Sequence, residues 1–236
     1  MQRMMTVKFE MDPVLFETVP NLKLGINHYT KTIVSESPQM IKGRLQLFQE
    51  YLYFDLADKP LTDFPGVKEW RDVWKAFGSD PSRHRHSLEA LMRRIKKLNY
   101  LEPYHSAVDI NNFFSLQYEM PIGIYDADKL NGNITLSLGN EDTGYDGLNG
   151  RFNSLKNILV LSDDTGPFGS PYIDSKRTAV TEETTNVFQV FFLRPSLDAV
   201  EALELVTAAG NMFTGVSGGD VHSYVLNNEK VSIKVN

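Results

Sequence analysis

The 236 residues carry 30 Asp and Glu against 24 Lys and Arg, a formal net charge of −6. That balance argues against a dedicated polyphosphate binder, whose affinity comes from cations that release counterions, and the absence of cysteine excludes a disulfide framework, a thiolate metal site and a cysteine nucleophile. No run approaches the ~18 apolar residues that cross a bilayer and the start MQRMMTVKFEMDP lacks a signal peptide's apolar stretch, so a cytoplasmic protein with neither membrane nor DNA as partner is expected.

Residues 5–9 (MTVKF) and 22–26 (LKLGI) read as short strands, separated by turns near Asp12-Pro13 and Val19-Pro20. Ser37 and Pro38 open a helix over 38–57, with Ile41, Leu45, Phe48 and Leu52 on one face. A second helix over 66–77 places Val67, Trp70, Val73, Trp74 and Phe77 at helical spacing, an aromatic stripe that belongs in a core rather than on a base-stacking platform. No flexible linker follows. Residues 1–79 are expected to form an N-terminal extension packed on a main domain over 80–236.

Asp80 and Pro81 suit the N-cap and first position of the next helix. Its apolar stripe is Leu88, Leu91, Met92, Ile95 and Leu98, with Arg93, Lys96 and Lys97 on the back. Residues 68–97 hold nine Lys or Arg against four Asp or Glu, which allows a weak, local phosphate contact or simply a solvated face. His84 and His86 lie two apart and diverge by about 200° on a helix, so they cannot share a metal. His105 suits an N-cap for residues 107–118 (AVDINNFFSLQY), which are apolar around most of the circumference and so belong inside. Asp109, Asn111 and Asn112 on that buried helix must then satisfy loop backbone or line a pocket.

Beyond it, ITLSL (134–138) alternates as a strand, and GNEDTGYDGLNGR reads as a hairpin or turn loop. Its Asp142, Asp146 and Asn149 miss the calcium-loop spacing. NILVLSD (157–163) is a buried type of strand that turns at 163–167, and NVFQVFFL (186–193) is another. Residues 196–209 form an amphipathic helix with Ser196 as N-cap and Gly210 just beyond its end; VSIKV (231–235) is an edge strand. This irregular alternation indicates an α+β fold.

No phosphate-binding loop, nucleophile elbow or HExxH is present. The chemistry-rich stretch is DSKRTAVTEET (174–184), which gathers Ser175, Arg177, Thr178, Thr181 and Thr184 between two strands. Hydroxyls and a guanidinium there suit recognition of a phosphate or carboxylate, or support of an oxyanion. The plainer alternative is that the hydroxyls cap turns and Arg177 pairs with a nearby acid.

The run HSAVDINNFFSLQYEMPIGIYDADKL (105–130) resembles the B3/B4 tRNA-binding and editing domain of the phenylalanyl-tRNA synthetase beta subunit, where it takes the form N-x-V-V-D-x-T-N-Y…P-x-H-x-F-D-x-D-x-L. Val108, Asp109, Asn112, Pro121, Asp126, Asp128 and Leu130 match, and Phe113 and Tyr125 are conservative replacements. The resemblance runs through VLSDDTGP and VTEETTNV, covers about residues 80–200, and is strongest to free-standing proteins of this type, which carry a similar D-S-x-R-T run. It implies a mixed-sheet, barrel-like core with packed helices, and no cofactor or metal. It implies a domain that binds aminoacyl-tRNA, with hydrolysis of a mischarged ester in trans as the activity to test. The alternatives are a non-catalytic module for a free amino acid or other small ligand, and an accessory partner of a synthetase. On this resemblance Asn112, Arg177 and Thr178 are catalytic candidates. Asn111, Gly123, Asp174, Ser175, Thr181 and Gln189 are substrate-binding candidates, and Arg93, Lys96 and Lys97 would meet tRNA phosphate. Three departures bear on mechanism: Gly123 stands where the family has histidine, Gln189 or Val190 where it has glutamate, and Asp174 and Ser175 near its paired glycines.

Overall fold

In the computed structural model, which describes residues 7–235, the strand VFQVFF lies at the centre. This strand is the ninth of eleven among the described residues. In chain order the elements are β1 (Val7–Met11), α1 (Leu15–Thr18), β2 (Leu24–Thr30), α2 (Gln39–Asp58), α3 (Pro65–Ala76), α4 (Ser87–Lys96), α5 (Ser106–Tyr118), β3 (Ile122–Asp126), β4 (Ile134–Leu138), β5 (Gly144–Asp146), β6 (Phe152–Ser154), β7 (Leu159–Asp163), β8 (Gly166–Gly169), β9 (Val187–Phe192), α6 (Ala199–Ser217), β10 (Asp220–Leu226) and β11 (Ser232–Val235). An antiparallel sheet has the order β10-β2-β9-β3; a second, β11-β1-β4-β7-β8, is antiparallel except where β1 runs parallel to β4. β5 and β6 form the expected hairpin. The fold is α+β, and its sheets stay open rather than closing into a barrel.

Side chains alternate along a strand, so β9 sends Val187, Gln189 and Phe191 to one side and Phe188, Val190 and Phe192 to the other. The first side meets α2, α4, α5 and α6 through a core that includes Tyr29, Met92, Phe114 and Phe213. The second meets the other sheet and α3, with Phe9, Trp70, Trp74, Tyr125 and Phe168. Burial on both faces explains a run that is apolar at every position but Gln189. Trp70 lies edge-on to Trp74 and to Phe192, with centroids 5.6 and 6.1 Å apart, so the tryptophan stripe is core. No helix among the described residues is long and apolar enough to cross a membrane.

Several boundaries differ from the sequence expectation. Met5 and Thr6 of the first expected strand lie outside the described residues, and the second strand begins at Leu24 and continues to Thr30. Ser37 does not cap α2; its hydroxyl bonds the Asp109 carboxylate. The helix expected from Pro81 starts at Ser87, because the Asp80 carboxylate is used in a local turn, accepting from Ser82 N at 2.8 Å, and His86 supplies the cap. Burial holds His86 down at about 4, so its ring is neutral near pH 7 and Nδ1 accepts from Glu89 N at 3.3 Å. Leu98 falls past the helix end, exposed, with φ 57°. The helix expected over 196–209 is instead capped by a box of Asp198 and Glu201 and runs through Gly210 to Ser217. Gly210 sits inside because α6 crosses β2 and β10 closely there: a Cβ would lie 3.1 Å from Val221 and 3.2 Å from the Asn27 amide. Ser196 bonds the Glu69 carboxylate instead.

One buried charge ties α3 to α4. The Glu89 carboxylate is wholly buried and accepts from Arg71 at 3.0 Å and Arg93 at 2.8 Å. Removing one partner of a buried pair costs about 3–5 kcal/mol, but both guanidiniums are partly exposed and can turn to water. Glu89→Ala is therefore expected to lose about 2 kcal/mol by urea denaturation, and Arg93→Ala less than about 1 kcal/mol.

Candidate functional site

β3 is the edge of its sheet, and this edge forms one wall of a pocket of about 530 Å3, within the range of small-molecule sites. Ile122 and Ile124 line it, with Asn111, Asn112 and Ser115 from α5. One face of α4, Ser87, Ala90, Leu91 and Arg94 at i, i+3, i+4 and i+7, closes a second side. The segment after β8 closes a third with Tyr172 and Asp174.

Two side chains hold the open edge. Asn111 Nδ2 donates to Ile122 O at 3.0 Å. Asp174 accepts from the Tyr125 hydroxyl at 2.7 Å, and the backbone of Ser170 and Ile124 bonds it too. Burial nonetheless outweighs these donors and pushes Asp174 up to about 7. Burial, then the Asp174 charge, holds the Tyr125 phenol well above its usual value, so it serves as a donor. The Tyr125 ring is sandwiched between two glycines. A Cβ at Gly123 or at Gly169 would lie 2.5 Å from Tyr125 Cζ and closer still to its oxygen.

The pocket therefore brings together Asn111, Asn112 and Asp174, with Gly123 in the strand behind them. It does not gather the other candidates. Arg177 pairs with Asp163 through bonds of 2.8 and 3.0 Å and donates to the carbonyls of Lys129 and Gly166. Ser175 Oγ accepts from Arg177 N, Thr178 is fully buried, and Thr181 is exposed with its N–H on Thr184 Oγ1. The plainer reading of this loop, turn caps and an Arg–acid pair, describes it. Gln189 lies in a chain of hydrogen bonds: Ser223 Oγ to Asn27 Oδ1 at 2.6 Å, Asn27 Nδ2 to Tyr29 OH at 3.1 Å, Tyr29 OH to Gln189 Oε1 at 2.7 Å, and Gln189 Nε2 to Asn111 Oδ1 at 3.1 Å. Both ends of its amide are taken. Of the expected phosphate contacts, Arg93 is held by Glu89, Lys96 donates to the Lys59 carbonyl, and Lys97 stands exposed. Arg94 was not singled out from the sequence, nor was the bond that joins the candidate Asp174 to Tyr125; the small residues Ser87 and Ala90, one turn apart on the face of Arg94, were the available signal for Arg94.

The B3/4 domain family model matches residues 69–209. The Bacillus subtilis protein YhzB is 34% identical over 213 residues, covering 90% of this chain and 96% of that protein. The phenylalanine–tRNA ligase beta subunit of Fusobacterium nucleatum is 29% identical over 161 residues, 58% of this chain but 20% of the subunit. That of Paramagnetospirillum magneticum is 33% identical over 90 residues, 37% of this chain and 11% of the subunit. An N-terminal fragment of the phenylalanyl-tRNA synthetase beta subunit from Pyrococcus horikoshii matches 91% of this chain and 50% of that one, with TM-score 0.45 and 17% identity.

Proposed function

Because the chain belongs to the B3/4 domain family, we propose that its edge-strand pocket takes the aminoacyl end of a charged tRNA and hydrolyses the ester in trans. The observation that carries this reading is one ligand-sized pocket lined by a carboxylate, Asp174, and a carboxamide, Asn112. A general base near pKa 7 works best at neutral pH, and Asp174 lies there. Water attacks the ester carbonyl as Asp174 takes its proton. The Asn112 amide donates to the oxyanion. Collapse expels the ribose oxygen, which takes the proton back from Asp174. Arg94 at the rim and the exposed Lys97 meet phosphate, a weak contact suited to the overall negative charge. A cytoplasmic location goes with this reading. The test is a panel of correctly and incorrectly charged tRNAs, following loss of the ester. Selective hydrolysis of one mischarged species is expected; hydrolysis of none refutes the catalytic step.

A second reading, a non-catalytic amino-acid module, is favoured by Gln189, one of the two positions (with Val190) matched by resemblance to the family's glutamate, whose amide is committed to Tyr29 and Asn111 inside the core. It is tested by thermal shift with free amino acids, where a ligand at 100 times its Kd adds about 2.7 kcal/mol. That shift without deacylation selects it.

A further inference from the structure

The outward face of α2 is apolar where a surface helix is ordinarily polar. Met40, Leu47, Tyr51 and Phe54 are 61% to 70% exposed, while Ile41, Leu45, Leu52 and Leu56 on the other side are in the core. With Arg44 and Asp58, the exposed residues recur at 40, 44, 47, 51, 54 and 58, alternating steps of four and three. That is the spacing of a seam that meets another helix. Beside it runs a groove of about 910 Å3, lined by Arg44, Leu47 and Tyr51 with Tyr118 of α5 and Met212 of α6. We propose that this seam docks onto the same seam of a second copy of the chain, antiparallel, as a two-fold dimer.

Charge selects the occupant and the direction. Arg44 lies in the N-terminal half of α2, and Asp55 and Asp58 lie in the C-terminal half. In an antiparallel pair centred near residue 49, Leu47 of one copy meets Tyr51 of the other. Arg44 then faces Phe54 and lies beside Asp55 across the axis, and symmetry repeats the contact. A parallel pair would instead set Arg44 against Arg44 and Asp58 against Asp58, at a Coulombic cost. Among the described residues Arg44 makes no ion pair. Its guanidinium rests 5.8 Å from the Phe113 ring centroid and 3.6 Å from Met212 Sδ, at the groove, where a carboxylate from outside can reach it.

Sedimentation equilibrium of the full chain, carried to about 100 μM where a micromolar dimer is filled, tests the proposal. The expected result is a dimer that Leu47→Glu converts to a monomer, with circular dichroism unchanged because Leu47 is exposed. Arg44→Asp weakens the dimer by at least tenfold in Kd, and Arg44→Asp combined with Asp55→Arg restores it. A monomeric wild type, or a Leu47→Glu variant still dimeric, overturns the proposal. So does failure of the charge exchange to restore what Arg44→Asp removes, because the antiparallel arrangement requires that pair. The readout is mass alone, so it stands apart from whether the pocket hydrolyses anything.

Discussion

If Asp174 is the base of the proposed hydrolysis, Asp174→Asn is expected to cut ester hydrolysis at neutral pH by about 100-fold or more, and to flatten a pH profile expected to rise through about 7 in the unaltered protein. The base works only when ionised, and burial places its pKa at about 7, so the rate climbs as the proton leaves. The amide cannot take a proton from water at any pH in that range. Tyr125→Phe distinguishes a base from a mere wall of the pocket. The Tyr125 hydroxyl bonds the carboxylate and lowers its pKa, so removing it moves the profile's midpoint to higher pH while leaving activity above that midpoint. A Tyr125→Phe profile with an unmoved midpoint, or an Asp174→Asn protein as active as wild type, removes Asp174 from the chemistry.

The same group leaves a mark on stability with a definite sign. Its folded pKa, about 7, exceeds the unfolded value near 3.9, so between these values the folded state holds the extra proton. Stability therefore falls as pH rises through that window. The buried His86, held at about 4, contributes with the opposite sign, so the comparison isolates Asp174: between pH 5 and pH 8 the urea midpoint should fall more, or rise less, in the wild type than in Asp174→Asn. The stability slope does not depend on a substrate, so it checks the environment of Asp174 even where hydrolysis is not seen.

What the sequence made legible follows from where local pattern and tertiary context agree. α5 and β9 were readable because near-continuous apolar runs have one meaning in a chain of this size, and His105 caps α5 as expected, accepting from Val108 N. α6 was cut short because a glycine after an apolar run resembles a helix end. Gly210 instead marks a close crossing over β2 and β10, which only tertiary structure creates. The polar stretch after it concealed β10, in which only Leu226 is buried. The loop at 174–184 misdirected for a related reason. Ser and Thr that cap turns have the composition of a ligand site, and an arginine that braces a loop has the composition of an anion clamp. Asp163, the acid that claims Arg177, is in another strand. Asn111 and Asn112 show the opposite case, since neighbours on one buried helix had to be accounted for, and one bonds the edge strand while both line the pocket.

Gly123→Ala is expected to lose about 3 kcal/mol or more, a large effect for a single methyl group. The added Cβ would lie 2.5 Å from Tyr125 Cζ, far inside van der Waals contact. The ring has little room to slide away, because the Gly169 backbone lies close enough on its other side that a Cβ there too would come within 2.5 Å of Cζ, and Phe168 lies edge-on, with centroids 5.0 Å apart. The remaining escape is to swing the phenol off Asp174, which leaves a half-buried carboxylate without its hydroxyl donor and frees the segment it anchors to β3. The substitution should therefore lower the urea midpoint and move the hydrolysis profile to higher pH together. Gly43→Ala supplies the contrast: it lies inside α2 with nothing within 4 Å of an added Cβ, so it should stabilise by up to about 1 kcal/mol. If the two alanines behaved alike, the Tyr125 ring would not be confined as described. If Gly123→Ala destabilised but left the pH midpoint in place, Tyr125 would be packing alone, and its bond to Asp174 would have no part in setting the proton affinity of the pocket.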